Sequence, residues 1–136
     1  MKSLICFFFG VFGIIKIAQH SPITELYVQQ IDQIASAIKN SSSEDLAHYF
    51  DSSVEIKLGE THGDYSKNQA EIVMRDFFKK SPAVSFVVLQ QGESSDKIRY
   101  IMGKYQSKTD SFRILVKCKT KMDSQLKIYG LAFTKE

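Results

Sequence analysis

The chain has 136 residues, 43% of them hydrophobic, with 18 Lys and Arg set against 15 Asp and Glu. That length supports one domain around one core. A formal charge of +3 gives no electrostatic reason to expect nucleic acid as a partner.

The first twenty residues are the most distinctive. Lys2 precedes an apolar run, Leu4-Ile5-Cys6-Phe7-Phe8-Phe9-Gly10-Val11-Phe12-Gly13-Ile14-Ile15, which fades into Lys16-Ile17-Ala18-Gln19-His20. A basic start, an apolar stretch of about 7–15 residues and a return to polarity describe a secretory signal peptide. A permanent membrane span needs about 20 predominantly apolar residues, and this run is shorter and interrupted at Lys16. Three consecutive phenylalanines with no polar face also argue against an ordinary amphipathic helix. A signal peptide over 1–18 is therefore expected, with cleavage after Ala18 or Gln19. Lys2 and Lys16 lie within it and no Asp or Glu precedes Glu25, so the remainder is close to neutral. Only Cys118 then survives, and a lone thiol closes no intramolecular disulfide. On a strand its neighbours Lys117 and Lys119 would point to the opposite face. Cys118 thus reads as a small buried hydrophobe rather than a nucleophile.

Ser21-Pro22 supplies a capping hydroxyl and a proline suited to the first helical position. Tyr27, Ile31, Ile34, Ala35 and Ile38 follow at helical spacing, with Gln29, Gln30, Asp32, Gln33 and Ser36 filling the polar side. Ser41-Ser42-Ser43 breaks that helix and caps a short second one over 43–50. Val54, Ile56 and Leu58 alternate with polar residues, as in a half-buried strand. Gly59 to Tyr65 reads as a polar turn bending at Gly63-Asp64. Ser66-Lys67-Asn68-Gln69 is a capping box. The helix it opens, over 67–80, carries Ala70, Val73, Met74, Phe77 and Phe78 on its buried side and stops at Ser81-Pro82. Strands then follow over 83–91, 98–103, 112–119 and 126–133, joined by short turns into an antiparallel meander. Helices first and strands last is an α+β pattern, giving one domain over 21–136.

That order resembles the cone-shaped domains named after nuclear transport factor two, with N-terminal helices packed on a curved antiparallel sheet. Through Tyr49-Phe50-Asp51-Ser52-Ser53-Val54-Glu55, Tyr65-Ser66-Lys67, Gln69-Ala70-Glu71, Asp76-Phe77-Phe78, and the strands around Tyr100-Ile101-Met102-Gly103 and Phe112-Arg113-Ile114, the chain more narrowly resembles a small exported bacterial family, domain of unknown function 4783. It implies the fold and an envelope location, in the periplasm or at the exterior of a Gram-negative cell. It supplies no activity, substrate or catalytic residue.

A cone of this kind can hold a pocket, and enzymes of this layout place an acid–base pair there. The pocket candidates are Tyr27, His48, Asp51 and Tyr100, with Tyr49 beside them. The plainer reading makes Tyr27 and Tyr100 core aromatics with polar tips and leaves His48 and Asp51 in solvent. His62 with Glu60 and Asp64 puts three donors in one loop, but a surface loop explains them. No metal or other cofactor is expected. Arg99, Lys104, Arg113, Lys117, Lys119 and Lys127 could form a basic stripe on the late strands, facing solvent, acidic envelope polymers or a partner protein.

The sequence thus supports an exported, non-catalytic domain that binds a small apolar ligand or a partner protein in the envelope. The alternative is an isomerase- or dehydratase-type enzyme using Asp51 or His48 as base and Tyr100 as acid. A homodimer through the outer sheet face is a further expectation, because Ile101, Leu115, Tyr129, Leu131 and Phe133 alternate out of phase with the inner residues. Phe50, Met74, Phe77, Phe78 and Phe86 are the side chains that could fill the cone.

Overall fold

Caps written into the sequence set where the first helix ends and where the next two begin, and the Ser21 cap expected for the first lies outside the described residues. The computed structural model describes residues 22–95 and 97–136, so the expected signal peptide lies outside the described residues. Helix α1 spans Pro22–Lys39 and buries Tyr27, Ile31, Ile34 and Ile38 along one stripe. It ends in a Schellman turn: Ser41 has φ 54°, its N–H donates to the Ile38 carbonyl at 3.0 Å, and the Ser42 N–H donates to the Ala37 carbonyl at 2.9 Å. The Ser42 hydroxyl then caps α2 (Ser43–Ala47) by accepting from the Asp45 N–H at 3.2 Å. Helix α2 is shorter than the periodicity suggests, because Phe50 already belongs to strand β1 and is buried there. Helix α3 (Lys67–Lys80) opens with the expected capping box, the Ser66 and Gln69 side chains each accepting the other's backbone N–H.

Strand β1 (Phe50–Leu58) turns through Gly59-Glu60 into β2 (Thr61–Ser66), with Leu58 opposite Thr61. Gly59 takes φ +60°, a conformation that other residues adopt at a cost. The expected polar turn over 59–65 is therefore mostly a strand, and its bend lies at Gly59-Glu60 rather than Gly63-Asp64. As an edge strand with most of its side chains in solvent, β2 has no apolar alternation to announce it.

Strands β3 (Ser85–Ser95), β4 (Ile98–Gln106), β5 (Ser111–Thr120) and β6 (Leu126–Lys135) form the meander. The sheet order is β2-β1-β6-β5-β4-β3. Strand β1 lies parallel to β6, with Ile56 beside Leu131, so the sheet is mixed and not antiparallel throughout. The meander returns its last strand beside the first in the same direction, a pairing that turn lengths do not reveal.

One face of this sheet is covered by the helices. Ile101, Val116 and Leu131 share a row across β4, β5 and β6, and Ile114 pairs with Phe133 in the next. Ile101, Leu131 and Phe133 are thus core residues, 1%, 2% and 0% exposed, and not part of an outer apolar face. Gly103 belongs to the covered face, where an added Cβ would come within 2.5 Å of the Phe86 ring and 2.8 Å of the Val87 carbonyl oxygen. Helix α1 is tied to the far hairpin by Gln30, whose amide donates to the Ser124 carbonyl at 3.1 Å and accepts from the Leu126 N–H at 2.8 Å. Gln30 is accordingly a buried residue, not part of the helix's polar side.

Candidate functional site

The space between α3 and the sheet is occupied by rings. Phe77 on α3 lies 4.8 Å from Phe133, 5.4 Å from Phe112 and 5.8 Å from Tyr105, centroid to centroid. Tyr105 and Phe112 also contact Phe133, at 5.7 and 6.4 Å. Most of these contacts are edge-to-face, the arrangement that ring quadrupoles favour. Phe78, Met74 and Phe86 are buried around them, and the Tyr105 hydroxyl is used internally, donating to the Ser81 carbonyl.

Tyr27 is buried, and none of the other three pocket candidates lines the crevice beside it. Tyr27 faces the covered side of the sheet under the Arg99 guanidinium, which lies 3.9 Å from its ring centroid and pairs with Glu93. A crevice of about 160 Å³ there is lined by Tyr27, Val28, Ile31, Gln91 and Arg99. His48 lines a separate groove of about 410 Å³ between α1 and α2, with Gln33, Asp45 and Tyr49. The Tyr49 hydroxyl donates to Gln33 in that groove, and partial burial raises its pKa. Tyr100 projects from the opposite face of the sheet, where its hydroxyl accepts from the Gln90 amide at 3.2 Å. Asp51 sits on β1 with Lys121 at 3.3 Å and Lys119 at 3.8 Å.

Burial works against the Asp51 carboxylate, but the Ser52 backbone N–H and the Lys121 and Lys119 ammonium groups outweigh it and hold its pKa below the ordinary value. A carboxyl with a lowered folded pKa stabilises the fold above its unfolded pKa, and that contribution is lost as pH falls through the folded value. Asp51→Asn will therefore lower the urea midpoint at neutral pH, and the difference from wild type will narrow as pH falls below the ordinary carboxylate range. A difference that does not change with pH would show that the charge of Asp51 is not what stabilises the fold. Cys118 is buried and its pKa is pushed up to about 12 by desolvation, which keeps it an unreactive thiol at neutral pH.

The covering helices leave one broad surface open among the described residues: the outer face of the sheet. Along β5 its outward side chains are Arg113, Leu115, Lys117 and Lys119. The register sets Lys104 opposite Arg113, Met102 opposite Leu115, and Tyr100 opposite Lys117. On the other side Ala132 lies opposite Leu115 and Lys127 opposite Lys119. Lys117 and Lys119 hold their ammonium groups 5.7 and 4.9 Å from the Tyr129 ring. The basic stripe read from the sequence is thus present except for Arg99, which lies on the covered face. Met102 and Ala132 were the part that sequence reading missed. Alternation showed two faces, but only the register showed that these two residues extend Leu115 into a band. His62 pairs with Glu55 at 3.1 Å, and no group of three or more metal-ligating side chains occurs among the described residues. No helix among them is long and apolar enough to cross a membrane.

Residues 31–134 match the family model described as Domain of unknown function (DUF4783). The chain belongs to that family. A crystal structure of a DUF4783 family protein from Bacteroides ovatus is 25% identical, with a TM-score of 0.72 over 76% of this chain and 93% of that one. A second, from Bacteroides uniformis, is 22% identical, with a TM-score of 0.73 over 77% of this chain and 95% of that one. An NTF2-like protein of unknown function from Shewanella baltica superposes with a TM-score of 0.64 at 10% identity, over 86% and 98% of the two chains. The fold is α+β and NTF2-like, as the element order implied. No curated protein matches the chain.

Proposed function

We propose that this member of the family is an exported, non-catalytic domain that engages a protein partner through the outer face of its sheet. The observation that carries this reading is the ring cluster of Phe77, Tyr105, Phe112 and Phe133, which fills the space where a small apolar ligand would need a chamber. An acid–base enzyme needs its two groups within reach of one substrate. Tyr100 points away from the covered face, while His48 lines a groove between two helices. The outer face, by contrast, offers half-buried apolar side chains framed by cations. A homodimer centred on that face would set its own cations against each other.

The test is site-specific photo-cross-linking in cells, with the reactive side chain at position 115 on the outer face or at position 72 on α3. A discrete protein adduct from position 115 alone, recovered in the periplasmic or extracellular fraction, is the expected result. An adduct from position 72 alone, or recovery of the protein in the cytoplasm, would overturn the reading.

A further inference from the structure

The outer face repeats an unfavourable arrangement. Lys104 stands directly opposite Arg113, and Lys119 directly opposite Lys127. Like charges on directly paired residues of neighbouring strands repel and weaken a sheet. The sheet relieves this only in part. Arg113 reaches Glu136 at 3.0 Å and Lys119 lies 3.8 Å from Asp51. Lys127 donates to the His48 carbonyl at 3.2 Å. Lys104 and Lys117 have no carboxylate partner among the described residues. Between the cationic rows runs the apolar band of Met102, Leu115 and Ala132, all half-buried with no helix above them.

Resting on the reading of this face as a partner surface, we propose that the outer face is built for an acidic segment of a partner protein, with carboxylates flanking one apolar side chain. The apolar residue packs on the Met102–Leu115–Ala132 band, and the carboxylates sit over the rows on either side of it. The spacing follows from the strand. Arg113 and Lys117 lie on one face four residues apart, which is about 13–14 Å at strand rise. An extended partner segment repeats its side chains at the same interval, so the matching pattern is acidic, any, apolar, any, acidic. Such a partner converts the cross-strand repulsion into attraction and desolvates the band at the same time. A second copy of this face lacks the charge to do so. A flat anionic membrane would satisfy the cations but has no side chain to seat on the band.

The probe is a fluorescein-labelled peptide with the core Glu-Thr-Leu-Thr-Glu, titrated with the full chain and followed by anisotropy. Lys104→Glu combined with Lys117→Glu is expected to weaken binding by about tenfold or more, and Leu115→Ser by about threefold. Lys79→Glu combined with Lys80→Glu, the same charge change on α3, is expected to leave it within about twofold. Raising NaCl from about 50 to about 500 mM should weaken binding further. Urea midpoints serve as the folding control. Lys104→Glu sets a carboxylate opposite Arg113, which offsets the Tyr129 contact that Lys117→Glu removes, so the binding-defective variant should stay close to wild type in stability.

Equal losses in the two double variants would overturn the proposal, since net charge alone would explain them. Binding to vesicles of about 30% phosphatidylglycerol with none to the peptide would overturn it in favour of a membrane surface. A salt-insensitive adduct at position 115 without peptide binding would overturn the acidic chemistry while leaving the partner surface standing. Loss of both would end the two readings together.

Discussion

Replacing Phe133 with alanine will remove about 3–5 kcal/mol of folding stability. Phe133 is 0% exposed and sits where α3 meets the sheet, flanked by Ile114 on β5 and Leu58 on β1. Its ring meets Phe77, Tyr105 and Phe112. Truncation therefore strips several edge-to-face contacts and leaves a void that cannot collapse, because the strands on both sides are pinned by their ladders. Small domains are stable by about 5–15 kcal/mol, so this one change consumes a large share of the total. A urea titration read by far-UV circular dichroism measures it. The result also bears on function. A loss below about 1 kcal/mol would mean that the interior is loosely packed with room for a guest, and a ligand chamber would return as the leading idea.

Where the sequence was legible, a local physical rule had no competitor. The capping box at Ser66 and Gln69 needs only four residues, and the structure forms both of its hydrogen bonds. The stripe from Tyr27 to Ile38 has helical spacing and is buried as that spacing requires. Cys118 alternates with the lysines and proves buried beneath them. The misreadings arose where long-range pairing decides. Residues 61–66 show no apolar alternation, because an edge strand with one neighbour need not bury a face. Ile101, Leu131 and Phe133 lie on the covered face against expectation because β4 and β6 carry apolar residues on both sides, so alternation alone cannot orient them. A bulge between Lys117 and Cys118 shifts the phase between β5 and β6 as well. The same limit explains the pocket candidates. Tyr27 and Tyr100 are each plausible by residue type, yet pleating sends Arg99 towards Tyr27 and Tyr100 to the other face. The cationic rows were visible as a stripe, but their cross-strand opposition became apparent only with the register.

Gln30→Leu will cost about 2–4 kcal/mol, although it exchanges a polar side chain for an apolar one of similar size on an apolar helix face. The amide of Gln30 holds two backbone groups of the β5–β6 turn, the Ser124 carbonyl at 3.1 Å and the Leu126 N–H at 2.8 Å. Leucine makes neither bond. Leu126 is 0% exposed, so its N–H would be left without water or partner, and such orphaned groups cost about 1–3 kcal/mol each. Ser124 adds to this. It holds φ 62° without being glycine, a conformation that persists only when its surroundings enforce it. Gln29→Leu, one position earlier and exposed, should stay within about 0.5 kcal/mol of wild type. Native-state hydrogen exchange separates local from global effects: the Leu126 amide should lose more protection than the Ile101 amide, which lies in β4. Equal losses at both would assign Gln30 a general packing role rather than command of this turn. The distinction reaches the proposed binding face, because the hairpin that Gln30 fastens carries Lys117, Lys119 and Lys127. A loosened turn should then weaken binding of the acidic peptide without removing a single cation.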